Sequence, residues 1–305
     1  MDLSDLRLFL SATRHHNLNA AANELNLTAS AVSRGIRRLE DSLRTPLFDR
    51  IGKSLVLNAA GQRLQQRAIS LLDMAEATRA EFEGSAFKVH CRVAAPAVLQ
   101  WRWGGALAQA LEDAQSGSSM VFRLAYEDEA VAAVARGEAD LALVTQEALV
   151  NGPQRHQAEG LVAEPLGTMS MQLAAGPTHP LVASALGKTG PRTVSTQQVL
   201  QHEFAAPSRS MFCGVGRGTR SDGWRDDQMP RRIRYWIDDL QLLVQFVAEG
   251  RALAYLPDFA IEAAGLRRLR VRDCQYTCEE SASLLWRPTE AAGWQLRMVD
   301  RLRSR

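Results

Sequence analysis

The 305-residue sequence predicts an α/β protein in which one long helix joins a small helical head to a larger region of strands and helices. Three observations support this fold class. Residues 19–61 contain two short helical patterns, a tight break between them and a basic hairpin pattern after them. Residues 58–83 contain no proline and so allow one long helix. From residue 87 onward strand and helix patterns alternate, as in a sheet covered by helices.

The head is predicted to be all-α apart from its hairpin. A first helix spans residues 4–15, and a second follows with Asn19 as its N-cap, because an Asn side chain can accept a first-turn N–H. Residues 26–28 break the helical pattern, and Thr28 can cap a third helix. The apolar stripe of that helix consists of Val32, Ile36, Leu39 and Leu43. A Pro-Leu-Phe turn and a short hairpin come next, which makes a helix-turn-helix with a wing.

Charge favours a nucleic-acid contact by this head. Residues 26–67 hold eight basic and three acidic residues, whereas the whole chain holds 36 and 34. A local basic excess is expected of a surface that meets phosphates, and a helix after a tight turn can enter a major groove. The predicted DNA-binding residues are Thr28, Ser30, Ser33, Arg34, Arg37, Arg38, Arg50 and Lys53. The alternative, a solvated basic helix face, stays open because motif matches include false positives.

The long helix carries a possible pairing seam. Its apolar and small residues alternate in steps of four and three, at Leu64, Ala68, Leu71, Ala75, Thr78 and Phe82. This heptad-like spacing is typical of helices that pack on a second helix. The seam could instead cover the protein's own head. We favour a contact between two copies, because a helix joining two domains would otherwise expose its seam.

The remaining sequence alternates strands and helices. Strands are predicted over residues 88–95, 120–126 and 140–145, with helices over 98–114 and 129–136. This order favours a mostly parallel sheet. Later strands are predicted over 203–206, 232–237 and 252–256, a loop over 176–191, and a helix over 239–248 that Asp238 would cap. Strands over 269–272 and 281–286 and a helix over 290–303 would complete the fold.

A long ordered motif in the head carries a family resemblance. It comprises Ala21, Ala22, Ala31, Val32, Ser33, Arg34, Ile36, Leu39, Glu40, Leu43, Pro46, Leu47, Phe48, Arg50, Leu57, Ala60 and Gly61. These residues resemble the N-terminal domain of LysR-type transcriptional regulators. The resemblance implies a winged helix-turn-helix, a linker helix and a two-lobed effector-binding domain like a periplasmic binding protein. The expected boundaries are 1–58 for the head, 59–86 for the linker, 87–163 with 265–305 for lobe I, and 164–264 for lobe II.

The resemblance also implies a function. Such a protein would bind double-stranded DNA as a homodimer or homotetramer, and a small-molecule effector in the cleft between the lobes would change promoter binding or DNA bending. RNA polymerase would be a partner if the protein activates transcription. Three positions depart from the family pattern. Gly35 replaces a groove-facing polar residue, Arg44 replaces a helix-ending Gly, and Asn58 replaces a Thr that opens the linker helix.

Ligands of open α/β sheets bind beyond the carboxyl ends of strands. The residues predicted at such ends are Ala95, Pro96, Ala97, Thr145, Gln146, Ser208, Arg209, Ser210 and Tyr255. Arg209 could pair with a carboxylate, so we hypothesise a small anionic effector, although Arg209 could equally be an exposed loop charge. The nearby Cys213 could sense redox state or be inert.

Other functional classes lack their motifs. The sequence contains no H-E-x-x-H, P-loop or G-x-S-x-G pattern, so we expect no enzyme, no cofactor and no metal site. It has no run of eighteen apolar residues and no secretion-signal pattern, so we expect no membrane span and a cytoplasmic protein. Four cysteines are too few for a disulfide scaffold. A solute-binding protein built on the same lobes is the alternative function.

Overall fold

The computed structural model describes residues 1–15, 17–51, 54–83, 88–152, 160–183, 192–215, 222–274, 276–287 and 293–303. The head consists of helices α1 (Leu3–Arg14), α2 (Leu18–Glu24) and α3 (Ala29–Leu43) and strands β1 (Phe48–Ile51) and β2 (Ser54–Leu57). β1 and β2 pair antiparallel, with Phe48 opposite Leu57. The predicted helix-turn-helix with a wing is confirmed.

The helix caps explain where the head helices begin. The Thr28 hydroxyl accepts the N–H of Ala31 at 3.2 Å, which confirms it as the N-cap of α3. The predicted cap of α2 was wrong, because Asn17 accepts the N–H of Ala20 at 2.9 Å and Asn19 lies inside the helix. Either Asn has a suitable side chain, so composition alone did not separate the two positions.

α3 ends where the family pattern has a glycine. Arg44 is the C-cap and adopts φ +50° and ψ +36°, the left-handed conformation in which glycine is favoured. Its N–H still bonds back to the carbonyl of Asp41 at 3.2 Å, so the helix closes normally. The departure at position 44 therefore keeps the family's backbone path, with a residue that fits it less well.

Helix α4 (Ala59–Glu83) rises directly from the wing. Asn58, which stands in place of the family's Thr, caps it by accepting the N–H of Gly61 at 2.9 Å. Gly61 is required by a close approach, since a Cβ there would lie 2.1 Å from the Leu47 carbonyl oxygen. The chain therefore enters the long helix pressed against the head.

The predicted seam of α4 divides into two parts. Leu64 and Ala68 of the seam, together with Leu72 beside it, pack on Leu6 and Phe9 of α1, so the first half of α4 covers the head. Leu71 and Phe82 of the seam are exposed, with Phe82 87% accessible, and so is Met74 between them. The seam therefore covers the protein's own head along its first part, and a contact between two copies stays a prediction for the exposed part.

Lobe I begins with parallel strands, as predicted. Its first elements are β3 (His90–Ala95), α5 (Ala97–Ala114), β4 (Ser119–Leu124), α6 (Glu127–Arg136), β5 (Leu141–Thr145) and α7 (Gln146–Asn151). β3 pairs parallel with both β4 and β5. Gly137 ends α6 with φ +77°, which places the chain at the start of β5. The carboxyl ends of these strands share one edge of the sheet.

The later elements complete two lobes. They are β6 (Val162–Ala175), α8 (Pro180–Ala183), β7 (Arg192–Val194), α9 (Thr196–Leu200), β8 (Glu203–Ala206), β9 (Arg232–Trp236), α10 (Leu240–Ala248), β10 (Ala254–Pro257), α11 (Asp258–Ala263), β11 (Arg267–Val271), β12 (Cys278–Trp286) and α12 (Gly293–Arg303). One sheet runs in the order β4-β3-β5-β12-β6-β11-β7, and β10 also pairs with β6. In the described chain no helix combines the length and apolarity that crossing a membrane requires.

Two long antiparallel strands connect the lobes. β12 pairs with β5 through Ala282–Leu285. It also pairs along its length with residues 162–171 of β6. The sequence did not predict β6, because Pro165 and Gly167 disfavour a strand interior. The predicted return into lobe I through residues 269–272 was wrong, since β11 pairs with the far end of β6 and with β7. The boundary at residue 264 stays a prediction, and this pairing favours a later one.

Candidate functional site

Helix α3 presents one polar face to solvent. Ser30, Arg34 and Arg37 are exposed, and Ser33 between them is half-buried. Steps of three, one and three residues place the four side chains on one side of a helix. On the opposite side Val32, Ile36 and Leu39 are buried. The residues predicted to meet DNA bases therefore share a single outward surface.

Thr28 lies at the start of that surface. It is exposed, and its hydroxyl both caps α3 and lies 3.1 Å from the Ser30 hydroxyl. Backbone N–H groups of a helix start attract phosphate oxygens. The beginning of α3 can thus approach a phosphate while its side chains approach the bases.

Arg38 differs from the other predicted contacts. Its guanidinium makes two hydrogen bonds to Asp5 of α1, one from Nε at 3.2 Å and one from Nη2. The Asp5 carboxylate raises the pKa of Arg38 above its ordinary value through these bonds. Arg38 therefore holds α3 against α1, and a direct DNA contact by Arg38 stays a prediction.

Gly35 faces the protein and not the groove. A Cβ at this position would lie 2.2 Å from Leu8 Cδ1 and 3.2 Å from an Asp5 oxygen. The expectation that position 35 faces the groove was wrong, because the position lies where α3 crosses α1. A side chain there would displace the side chain of Leu8 at that crossing.

The wing follows α3 closely. The Glu40 carboxylate accepts the N–H of Leu47 at 2.7 Å, which fixes the turn before β1. The backbone of Arg50 lies in β1 and pairs with the backbone of Leu55. Lys53 lies outside the described residues, and so does the side chain of Arg50. Their phosphate contacts stay predictions.

The strand ends of lobe I meet at Glu127. The Glu127 carboxylate accepts the N–H of Thr145 at 2.6 Å, and its own N–H donates to the Phe212 carbonyl of lobe II at 3.1 Å. Glu127 is only 3% exposed. Burial raises the pKa of Glu127 to about 6, and its hydrogen bonds from Thr145 oppose that rise. Sequence reasoning missed this residue, whose partner lies eighteen positions away.

The first predicted strand end adjoins the same place. The Ala95 carbonyl, buried at the end of β3, accepts from the N–H of Ala125 at 3.1 Å and from the Gln100 side chain at 2.7 Å. Pro96 is the N-cap of α5, and Ala97 is exposed in its first turn. These three positions therefore shape the strand edge and offer a ligand no side-chain hydrogen bond.

The second-lobe loop that was predicted to bind an anion already holds a carboxylate. Asp238 accepts the N–H and the hydroxyl of Ser208 at 2.7 and 2.9 Å and the N–H of Arg209 at 3.3 Å. Asp238 was predicted to cap α10, but Asp239 does so, accepting the N–H of Leu242 at 2.7 Å. The Arg209 side chain is exposed and makes no ion pair within the described residues. Its effector role stays a prediction.

The rest of this loop packs against lobe I. The buried Ser210 hydroxyl accepts the N–H of Phe212 and of Cys213, each at 3.3 Å. Gly214 adopts φ +66°, and a Cβ there would lie 2.5 Å from the ring of Tyr126. Ser210 therefore shapes the loop at the junction, and Cys213 is a half-buried free thiol beside it.

A cavity of about 350 Å³ opens where the lobes meet. Gln146 and Glu147 of α7 line one side, and Phe212 and Asp222 line the other. Glu279 and Glu280 of β12 also contribute. Of the predicted effector residues, Gln146 lines this cavity. The charged residues among the described lining are all acidic, so the cavity disfavours an anion.

Tyr255 lies elsewhere than expected. It is buried in β10, edge-to-face with Trp224 at 5.6 Å, and lines a cavity of about 690 Å³ within lobe II. Trp224 also packs near Phe204, and Arg231 lies 5.4 Å from both rings. The Arg231 side chain is fully buried and binds Asp222 through two nitrogens at 2.8 and 2.9 Å. No local pattern in the sequence joins these positions.

Comparison with models of known protein families shows which family this chain belongs to. A family model described as bacterial regulatory helix-turn-helix protein, lysR family, matches residues 3–62. A second, described as LysR substrate binding domain, matches residues 87–298, more than half of the chain. The chain belongs to the LysR family. The LysR family consists of DNA-binding transcriptional regulators with a substrate-binding effector domain, and the resemblance found in the head extends to both domains.

Individual LysR-family proteins share parts of the sequence and the whole fold. The RuBisCO operon transcriptional regulator of Acidithiobacillus ferrooxidans is 40% identical over 74 residues, 24% of each chain. For four curated relatives the aligned stretch spans 24% to 55% of their own length. The structure of CbnR with its target DNA has a TM-score of 0.62 at 18% identity, covering 100% of this chain and 99% of CbnR. Full-length LysG of Corynebacterium glutamicum, with bound effector Arg, has 0.61 at 18% identity over 100% and 99%.

Proposed function

We propose that this LysR-family protein binds specific DNA sites through the outward face of α3. The carrying observation is that Ser30, Arg34 and Arg37 are exposed together on a helix whose opposite face is buried in the head. Arginine can make two hydrogen bonds to a guanine edge, and such a pair discriminates against a wrong base by about 1–3 kcal/mol. Thr28 and Ser33 complete the base-facing set, and Arg50 and Lys53 of the wing supply phosphate contacts.

Two copies of the protein would read two half-sites. The exposed residues Leu71, Met74, Thr78 and Phe82 follow one another in steps of three, four and four along α4. A second α4 lying along this stripe would remove it from water, which favours association. The protein would therefore act as a dimer or as a dimer of dimers on an interrupted palindrome.

A small molecule would act at the junction of the lobes. The cavity beside Gln146 and Phe212 has residues from both lobes, so a ligand there would change how the lobes meet. Its acidic lining favours a neutral or positively charged effector over the anion suggested by Arg209. The related LysG fold was solved with an Arg effector bound, which is compatible with such a choice.

The remaining roles follow from DNA binding. The protein would work in the cytoplasm, where bacterial DNA lies, and RNA polymerase would be a partner if the bound protein activates transcription. It would bind its effector without converting it, which distinguishes it from an enzyme. A solute carrier built on the same lobes would not require the basic face of α3.

Footprinting tests the proposal. Purified protein is bound to DNA from upstream of its own gene at two salt concentrations, beside an Arg34→Gln, Arg37→Gln variant. We expect two protected half-site regions that weaken with salt, because phosphate contacts release counterions. The variant should lose the specific protection. Random-sequence selection that yields no preferred site would contradict the proposal.

A further inference from the structure

The end of α3 carries an arginine in a backbone conformation that arginine disfavours. Arg44 has φ +50° and ψ +36°, the left-handed region in which the Cβ of an L residue crowds the carbonyl oxygen that follows. Among the described residues one other non-glycine residue has a positive φ, Asn26 at +53°, and the short polar side chain of Asn suits this region. The long side chain of arginine offers no such compensation, so glycine would fold more easily at position 44.

The side chain of Arg44 has no polar partner within the described part of the chain. Arg44 is exposed, and its guanidinium makes neither an ion pair nor a hydrogen bond there. The neighbouring acids do not pair with it. Glu40 accepts the N–H of Leu47, and Asp41 is exposed and makes no ion pair within the described residues. The side-chain contacts of the folded head therefore do not explain why an arginine stands at this position.

The position of Arg44 continues the row of α3 that the proposed function places on DNA. It follows Ser30 and Arg37, both exposed, in steps of seven residues. Seven residues make nearly two helical turns and rise about 10 Å, so the three Cα atoms lie along one side of the helix. Just after Arg44 the chain turns at Pro46 and enters β1 of the wing. Arg44 thus lies between the two parts of the head that are expected to meet DNA.

Phosphate is the DNA group that suits an arginine at this end of the helix. A recognition helix brings its first residues to the base edges, and helix-turn-helix proteins also use the C-terminal end of such a helix to contact the DNA backbone. A guanidinium presents two parallel N–H donors that match two phosphate oxygens. Both the place of Arg44 and its chemistry therefore favour a backbone contact over a base contact.

We propose that Arg44 is an additional phosphate contact of each bound copy, one that a glycine at this position would not supply. The inference rests on the proposed function, because it requires α3 to lie on DNA. A phosphate contact carries no base information, so it raises the affinity for every sequence and strengthens the dependence on salt. The alternative role is a cation that interacts with the free carbonyls at the end of α3, which would stabilise the folded head instead.

Anisotropy titrations of the full chain on two fluorescent duplexes test this contact. One duplex carries a site selected from random sequence, the other an unrelated sequence, and each is titrated at several salt concentrations. We expect Arg44→Gly to reduce the steepness of log affinity against log salt by about 0.9 for each bound copy, on both duplexes. Arg44→Lys should keep the steepness, since it keeps the charge. The matched control is Arg267→Gln, which removes an exposed arginine of β11 and should leave the steepness unchanged.

Urea unfolding of the same variants separates the contact with DNA from a role in folding. Because glycine suits the left-handed backbone, we expect a higher urea midpoint for Arg44→Gly although this variant binds DNA more weakly.

Three results would overturn the inference about Arg44 alone. They are an unchanged salt dependence of Arg44→Gly on both duplexes, an equal change in Arg267→Gln, and a loss of affinity confined to the selected site. Wild-type protein that binds neither duplex would contradict the proposed function itself, and this inference with it.

Discussion

Arg38 of α3 and Asp5 of α1 form a two-pronged ion pair that ties the DNA-facing helix to the helix behind it. The Asp5 side chain is 7% exposed, whereas that of Arg38 is 62% exposed. Arg34, one turn earlier on α3, makes no ion pair within the described residues. Two arginines of one basic run thus differ: Arg38 takes part in the packing of the head, whereas Arg34 is exposed and is left for the proposed contact with DNA.

Replacing each arginine separates these tasks. Arg38→Gln should lower the melting temperature of the head, because the nearly buried Asp5 carboxylate loses its partner. Arg34→Gln should leave the melting temperature unchanged and weaken DNA binding. Thermal unfolding followed by circular dichroism measures the first effect. Equal melting temperatures for both variants would contradict a packing role for Arg38.

Replacing Gly35 should have a steric cost where α1 and α3 cross. Gly35→Ala gains about 1 kcal/mol of helix propensity but places a Cβ 2.2 Å from Leu8 Cδ1. Leu8 is itself buried, so we expect a net destabilisation of about 1–3 kcal/mol in urea unfolding. Gly105→Ala on α5 is the matched control, since a Cβ there would meet no described heavy atom within 4 Å apart from its chain neighbours and its own helix backbone, and it should stabilise. A stabilising Gly35→Ala would mean that the Leu8 side chain moves aside at little cost.

His179 predicts a loss of stability in mild acid. It is buried, its Nδ1 accepts the N–H of Leu181 at 3.3 Å, and its ring meets His202 at 4.8 Å. Burial and then the neighbouring His202 lower the pKa of His179 from 6.5 to about 4. The stability it contributes is present above pH 6.5 and is lost as the pH falls toward 4.

Urea unfolding at two pH values measures the effect of His179. We expect a loss of roughly 2 kcal/mol between about pH 7.5 and about pH 5 from this residue. The variant His179→Gln cannot be protonated at this position. Its free energy of unfolding should therefore fall less between the two pH values. An equal fall in the variant and the wild type would show that another group is responsible for the pH dependence.

Glu127 should affect the stability of the protein in the opposite direction, over a neighbouring pH range. Its pKa is raised from 4.5 to about 6, so its contribution is full below pH 4.5 and is lost as the pH rises through 6. Glu127→Gln resembles the protonated acid and keeps an oxygen for the N–H of Thr145. We expect it to stabilise the protein by roughly 2 kcal/mol at neutral pH in urea unfolding. A less stable variant would mean that the junction requires the charged carboxylate.

The head was predicted well because its signals are local. Apolar residues three and four apart, a capping Thr28 and a capping Asn58 fix the helices with neighbours within a few positions. The role of Gly35 could not be predicted in this way. It depends on where Leu8 of another helix lies, and that is a tertiary contact.

The lobes were predicted less completely because their decisive contacts join distant positions. Asp238 was interpreted as a local helix cap, yet its partners lie about thirty residues away at Ser208 and Arg209. Strand β6 contains Pro165 and Gly167, and it forms because β12 pairs along it. The junction at Glu127 likewise depends on Thr145 and Phe212. Periodicity cannot reveal such pairs.

The base discrimination of Arg34→Gln is the most direct measurement of the central claim. The affinity of wild type and variant would be compared on a selected site and on all single-base changes of that site, at one salt concentration. Base reading by α3 predicts that the variant loses about 1–3 kcal/mol of discrimination at one base pair of each half-site and keeps it elsewhere. A uniform loss on every sequence would contradict it and leave Arg34 as a phosphate contact.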